Sequence, residues 1–231
     1  MVRSVETFIS RRLPVERTSI VDVQGYRKNQ EFILKSLCVL DLFTFQFFVV
    51  HFKPPCSAEE LSALDVKTNK FIYENLNGKP WESGEYPYHE RSKIISPILQ
   101  KYDRIYLKGT EKIRWINMNA SCERVNFVDL LNYGCPSLEK CKENLKSFMR
   151  RNSQNLQHRQ WPDELVLINV LAIFMWLNGS NNVNLLYPFK YKISSGLDDR
   201  IYRPDQLYLE DARDLIHWVS NNYFFVTIKF I

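Results

Sequence analysis

His158 stands five residues ahead of Asp163, and that aspartate leads into a long apolar run, Leu165 through Leu177. A carboxylate fixed at a helix start, with a histidine just before it, suits metal-dependent hydrolysis. The acid helps hold a divalent ion, and the imidazole acts as general base toward a metal-bound water. A second carboxylate, Asp22, lies inside the apolar stretch Ser19-Ile-Val-Asp22-Val-Gln24. Both features also have structural uses: a buried acid satisfied by its neighbours, and a polar loop with a helix cap.

The elements that must position these residues follow from patterning. Residues 1–17 form a basic arm carrying Arg3, Arg11, Arg12 and Arg17. Ser19 to Tyr26 reads as a buried strand ending in a glycine turn at Gly25. Phe32–Leu40 reads as a second strand, with helix open as an alternative. Thr44–Phe52 is a third, rich in aromatic and β-branched residues and stopped by Pro54 and Pro55. Ser57-Ala-Glu-Glu60 matches a capping box and predicts a helix to about Leu76, with Leu61, Leu64, Phe71 and Ile72 inward. A helix over about 89–102 follows, then a short strand Arg104–Leu107, a helix through Trp115 and a strand Val125–Leu131. A basic helix capped by Ser137 runs to Arg151, and the helix over 163–177 closes the series. Three strands in a meander feeding βα units predict one mixed sheet covered by helices. Residues 179–231 are expected to be a small α+β appendage, with a helix over 205–221 and an apolar end, Tyr223 to Ile231.

Composition narrows the classes. The chain has 231 residues, 45% of them hydrophobic, and only 7 glycines, which suits a packed mixed fold and excludes a linker-rich or low-complexity chain. A formal net charge of +5 permits anionic partners without demanding them. Five cysteines without a CxxC pair suit reduced thiols; Cys135, Cys141 and His158 match no common zinc spacing. The apolar run 165–177 is 13 residues long, too short to span a bilayer, and the amino terminus lacks a signal core. An intracellular protein, cytoplasmic or nuclear, is expected.

Taken in order, these motifs resemble the DEDDh 3′–5′ exonucleases of the ribonuclease H-like superfamily over roughly residues 18–178. Asp22-Val-Gln24 stands where that family has Asp-x-Glu. Leu76-Asn-Gly78 resembles its His-Gly-Ile turn, and Tyr106-Leu-Lys-Gly109-Thr-Glu-Lys-Ile113 sits at its His-Asn-x-x-Phe-Asp motif. Asp129 echoes an aspartate of the next strand, Ser137-Leu-Glu-Lys-Cys141 a Ser-Leu-x-x-Leu helix, and His158 with Asp163 the His-x4-Asp motif. The resemblance implies a ribonuclease H-like five-stranded mixed sheet and a two-metal site with Asp22 and Asp163 as ligands and His158 as base. Two of its four acids are replaced, one by Gln24 and one by Lys112 or Ile113. Glu111 as a substitute would be turned by about 200° around the helix. A weak or inactive centre is therefore expected; the alternative is an active exonuclease using Mg2+ or Mn2+.

The resemblance also places a substrate groove beside the basic helix, so Lys146, Arg150, Arg151 and Arg159 become candidate contacts to single-stranded nucleic acid. Tyr26 and Trp161 are candidates to stack on a base. A further likeness covers Ile-Val-Asp-Val-Gln-Gly-Tyr, Phe-Lys-Pro-Pro and Gly-Cys-Pro-Ser-Leu, shared with uncharacterised proteins of insect genomes, their viruses and mobile elements. It implies an origin and names no activity. The remaining expectation, from a different class, is a non-catalytic interaction module that docks a protein partner through 223–231.

Overall fold

The computed structural model describes residues 16–44, 46–152 and 165–179. The expected appendage, the basic arm up to Val15, and the residues His158, Arg159, Trp161 and Asp163 lie outside them.

Five strands form one mixed sheet: β1 (Thr18–Lys28), β2 (Glu31–Asp41), β3 (Phe47–His51), β4 (Arg104–Leu107) and β5 (Asn126–Asp129). Their order is β3-β2-β1-β4-β5. The meander β1-β2-β3 is antiparallel, while β4 joins β1 and β5 joins β4 in parallel. The helices are α1 (Ala63–Ile72), α2 (Arg91–Leu99), α3 (Thr110–Asn119), α4 (Leu138–Asn152) and α5 (Leu165–Gly179). The protein is thus α/β, a five-stranded mixed sheet flanked by helices.

Side-chain alternation along β1 and β2 feeds two separate cores. Ile20, Cys38 and Leu40 pack with Leu145 of α4 and with Val170, Ala172 and Ile173 of α5. Val21, Val23, Leu37 and Val39 pack with Ile95 and Leu99 of α2 and Trp115 and Ile116 of α3. Because the run Leu165–Leu177 of α5 is apolar at every position but Asn169, it can only be a covered helix. Each of its fully buried aliphatic side chains contributes about 1.5–3 kcal/mol.

Several boundaries differ from the sequence expectations: β5 stops at Asp129, where a 3-10 turn over Leu130–Tyr133 begins, α3 runs on to Asn119, and α1 ends at Ile72. Three further departures are of geometry. β1 does not turn at Gly25; it continues to Lys28, and the reversal is made by Asn29 and Gln30, at φ 51° and 66°. Gly25 instead marks a register shift, where a Cβ would stand 2.2 Å from the carbonyl oxygen of Ile33. The Ser57–Glu60 capping box is made, but it closes a single 3-10 turn; α1 starts later, capped by Ser62. Most sharply, α1 is rotated relative to the expected face. Leu64 is 67% and Phe71 59% exposed, while Asp65 and Asn69 point inward. Asn69 accepts from the Arg27 N–H and donates to the Arg27 carbonyl (both 2.8 Å), and Asp65 accepts from the Asn29 N–H at 3.1 Å. Hydrogen bonds to the hairpin backbone outweigh the apolar pattern, because unpaired buried amide groups would cost about 1–3 kcal/mol each.

A buried lysine holds the loop beside the sheet. Lys35, in β2, is 2% exposed and its Nζ donates to the carbonyls of Trp81 (2.6 Å) and Ser83. Burial lowers its pKa to about 8, against partial support from Glu82 and Glu85. An unfolded lysine titrates near about 10.4. Between these values the unfolded chain binds more protons than the folded one, so this group's contribution to stability rises with pH. The stability difference between wild type and Lys35→Met, from urea unfolding, is expected to shift in favour of wild type between about pH 8 and 10.4. A flat difference would contradict the burial of the charge.

Candidate functional site

Asp22 lies where the sheet changes character, between antiparallel β2 and parallel β4. The last β1–β4 pair is Ile20 with Tyr106, and β4 ends at Leu107, so Asp22 stands just past the carboxyl end of its parallel neighbour. Open α/β sheets place their ligand crevices at such switch points. Here the position is sealed: Asp22 is 0% exposed.

Three side chains hold the carboxylate. Gln24, two residues along β1, donates Nε2 to Oδ2 at 2.9 Å. Asn169, from the middle of α5, donates Nδ2 to the same oxygen at 2.8 Å. Lys112, in the first turn of α3, closes an ion pair on Oδ1, its side chain reaching in from the surface with 22% exposure. Asn169 Oδ1 is buried and has no donor among the described residues. Charge-assisted bonds are the strong kind, and they offset the several kcal/mol that a buried carboxylate loses on leaving water.

The reach of Lys112 depends on how α3 begins. Asp129, at the end of β5, accepts from the Gly109 N–H (3.0 Å), the Thr110 hydroxyl (2.8 Å) and the Leu131 N–H (3.0 Å). Burial alone would raise its pKa, but the bonds from Gly109, Leu131 and Thr110, with the nearby Lys108 charge, hold it below the ordinary carboxylate range. Gly109 sits at φ 113°, a conformation that favours glycine. Asp129 and Gly109 therefore set the start of α3, and α3 delivers Lys112.

Among the described residues, the donor set around Asp22 does not fit a divalent cation. One carboxylate, two neutral amides and an ammonium surround the position, and a bound ammonium repels a second cation. No cluster of three His, Cys, Asp or Glu side chains suited to a metal occurs among the described residues.

Of the residues singled out from sequence, Asp22, Gln24 and Lys112 are brought into direct contact or one hydrogen bond apart. Ile113 is half-buried and packs against the core on the α2–α3 side of the sheet. Glu111 points away: its side chain is 89% exposed and pairs with Arg27 at 3.7 Å. Lys146 is exposed on α4, whose inward side carries Cys141 and Leu145. Arg150 and Arg151 continue the α4 backbone. Tyr26 is unavailable for stacking. It is 2% exposed, donates to the Lys79 carbonyl and meets Trp81 edge-on at 5.5 Å, and burial, then the Tyr73 charge, pushes its pKa up to about 12. Asn169 was missed, although it is the sole polar residue of the run 165–177. An amide in so apolar a helix signals a buried partner.

No family model, curated protein or solved structure matches the chain.

The centre predicts strong coupling. Lys112→Met strands a buried carboxylate and is expected to cost roughly 3–5 kcal/mol in urea unfolding. Adding Asp22→Asn to that variant is expected to restore part of the loss. Purely additive effects would show that the pair carries no interaction.

Proposed function

We propose that this chain is a nucleic-acid-binding domain of exonuclease-like, ribonuclease H-like type in which an internal ammonium replaces the metal centre, leaving catalysis weak or absent. The observation that carries this reading is Lys112 paired with the fully buried Asp22, with Gln24 and Asn169 completing its coordination. The order β3-β2-β1-β4-β5, with its meander and two parallel additions, is consistent with a ribonuclease H-like arrangement. In the family that the chain resembles, acids stand at the positions of Gln24 and Lys112. Their neutral and cationic replacements here satisfy Asp22 within the protein. The carboxylate is thereby withdrawn from the two roles it would need for hydrolysis, metal ligand and anchor of an activated water.

Binding does not need that chemistry. Phosphate contacts require accessible cations; on α4 Lys140 and Lys146 are exposed and Lys142 is half-buried, and the sequence continues with Arg150, Arg151 and Arg159. Lys140 is engaged by Glu143 at 3.0 Å, an exposed pair that an anionic strand can displace. Residues His158 and Asp163 would complete the family motif. With Lys112 in place they lack the charge balance for a two-metal centre, so Mg2+ or Mn2+ enters only the alternative reading, an active 3′–5′ exonuclease. The second alternative, a protein-interaction module, draws on one observation: the outward row Leu64, Phe71 and Leu76 on and after α1. No helix among the described residues is long and apolar enough to cross a membrane.

Purified protein incubated with end-labelled single-stranded DNA and RNA, with Mn2+ or with EDTA, separates these. Expected is binding of similar strength in both, weakening steeply with salt, and no shortening of the strand. Mn2+-dependent shortening abolished by Asp22→Ala would overturn the reading. Absence of binding even at low salt would leave the interaction module.

A further inference from the structure

A second feature lies outside the Asp22 centre, on the outer side of α3. A groove of about 730 Å3 runs between the tip of the β1–β2 hairpin and α3. Its size falls within the range of about 300–1,000 Å3 typical of small-ligand sites. Charge is distributed unevenly around it: Arg27, Lys28, Arg91, Lys112 and Arg114 against Glu31 and Glu111.

These cations differ in what they already hold. Lys112 is committed to Asp22. Arg91 is committed too: its Nε and Nη2 donate to Asn119 Oδ1 (3.2 and 3.0 Å), and its guanidinium lies 4.3 Å over the Tyr88 ring. Lys28 donates to Cys56 Sγ at 3.0 Å. Arg27 donates Nη1 to the Gln30 carbonyl at 3.1 Å, while its Nη2 stands 3.7 Å from the exposed Glu111, a pairing worth little in water. Arg114 is exposed and makes no ion pair among the described residues. Arg114 is therefore the group free to meet an anion, and Arg27 Nη2 can exchange Glu111 for one.

The rest of the lining is of a different kind. The stacked Arg91–Tyr88 pair, the half-buried Phe32 (edge-on to Trp115 at 5.5 Å) and Met118, 77% exposed, are planar or polarisable groups. Such surfaces favour flat heteroaromatic rings. An inorganic anion would use the arginines and leave this surface wet. An acidic peptide would do the same.

We infer that this groove is a nucleotide site: the base lies against the Phe32, Tyr88 and Met118 surface, and the phosphate is held by Arg114 and Arg27. The phosphate-bearing base belongs either to a free nucleotide or to one residue of a single strand. The strand source rests on the nucleic-acid reading above, and the free-nucleotide source is independent of it.

The test titrates the full chain with AMP and UMP by calorimetry, and with a labelled oligothymidylate and oligouridylate by fluorescence anisotropy. Arg114→Glu and Met118→Glu, both at exposed positions, are expected to weaken binding roughly tenfold, since a charge-assisted phosphate contact is lost or opposed. Lys142→Glu and Lys146→Glu on α4 serve as the comparison. Mononucleotide binding sensitive to Arg114→Glu supports the free source; oligonucleotide binding alone, equally sensitive, supports the strand. Oligonucleotide binding that ignores both groove variants but falls with the α4 variants overturns the groove while the nucleic-acid reading stands. No saturable binding of any probe overturns both. Mononucleotide binding lost in Arg114→Glu with no oligonucleotide affinity overturns the nucleic-acid reading and keeps the groove.

Discussion

The constraint on which the rest depends is a carboxylate with no access to water. Asp22 sits in the central strand of the sheet, and an isolated charge there would unfold a marginally stable domain or force its own protonation. Its partners come from three separate elements, so satisfying it ties β1, α3 and α5 together. The chain of support extends further. Asp129 closes β5 and fixes Gly109 and Thr110; these set the first turn of α3, and that turn carries Lys112 to Asp22. Sheet, crossover and covering helix are held in register by one polar cluster inside an otherwise apolar layer.

A centre built this way is satisfied by side chains of the protein itself. A metal site needs several negative ligands around one open position, whereas here the positive charge is part of the chain and permanently delivered. The same lysine lies at the boundary between the sealed cluster and the open groove outside α3. One helix thus presents a committed cation inward and an available one, Arg114, outward.

Much of the sheet was legible in the sequence, because runs such as Phe32–Leu40 and Arg104–Leu107 are apolar, short and bounded by turn residues. What escaped was set by partners distant in sequence. Gly25 reads as a turn, yet its lack of a Cβ serves a close approach to Ile33. The α1 face was misread because Asp65 and Asn69 bind hairpin backbone groups about forty residues away along the chain, and no local periodicity encodes that. Asp22 stood out as an acid within an apolar strand, but its contact with Lys112, at |i−j| = 90, is encoded by no local pattern. Asn169 was not legible, since its partner lies at |i−j| = 147, although a lone amide in an apolar helix is itself a visible anomaly.

The most direct measurement is a titration of the purified full chain with Mn2+, read by electron paramagnetic resonance, beside a Lys112→Ala, Gln24→Glu, Asn169→Asp variant. An ammonium in the cation's place predicts no saturable Mn2+ binding to the wild-type chain and measurable binding once the lysine is removed and acids are supplied. Stoichiometric Mn2+ binding by the wild-type chain, lost in Asp22→Ala, would contradict the assignment of Lys112 as the resident cation.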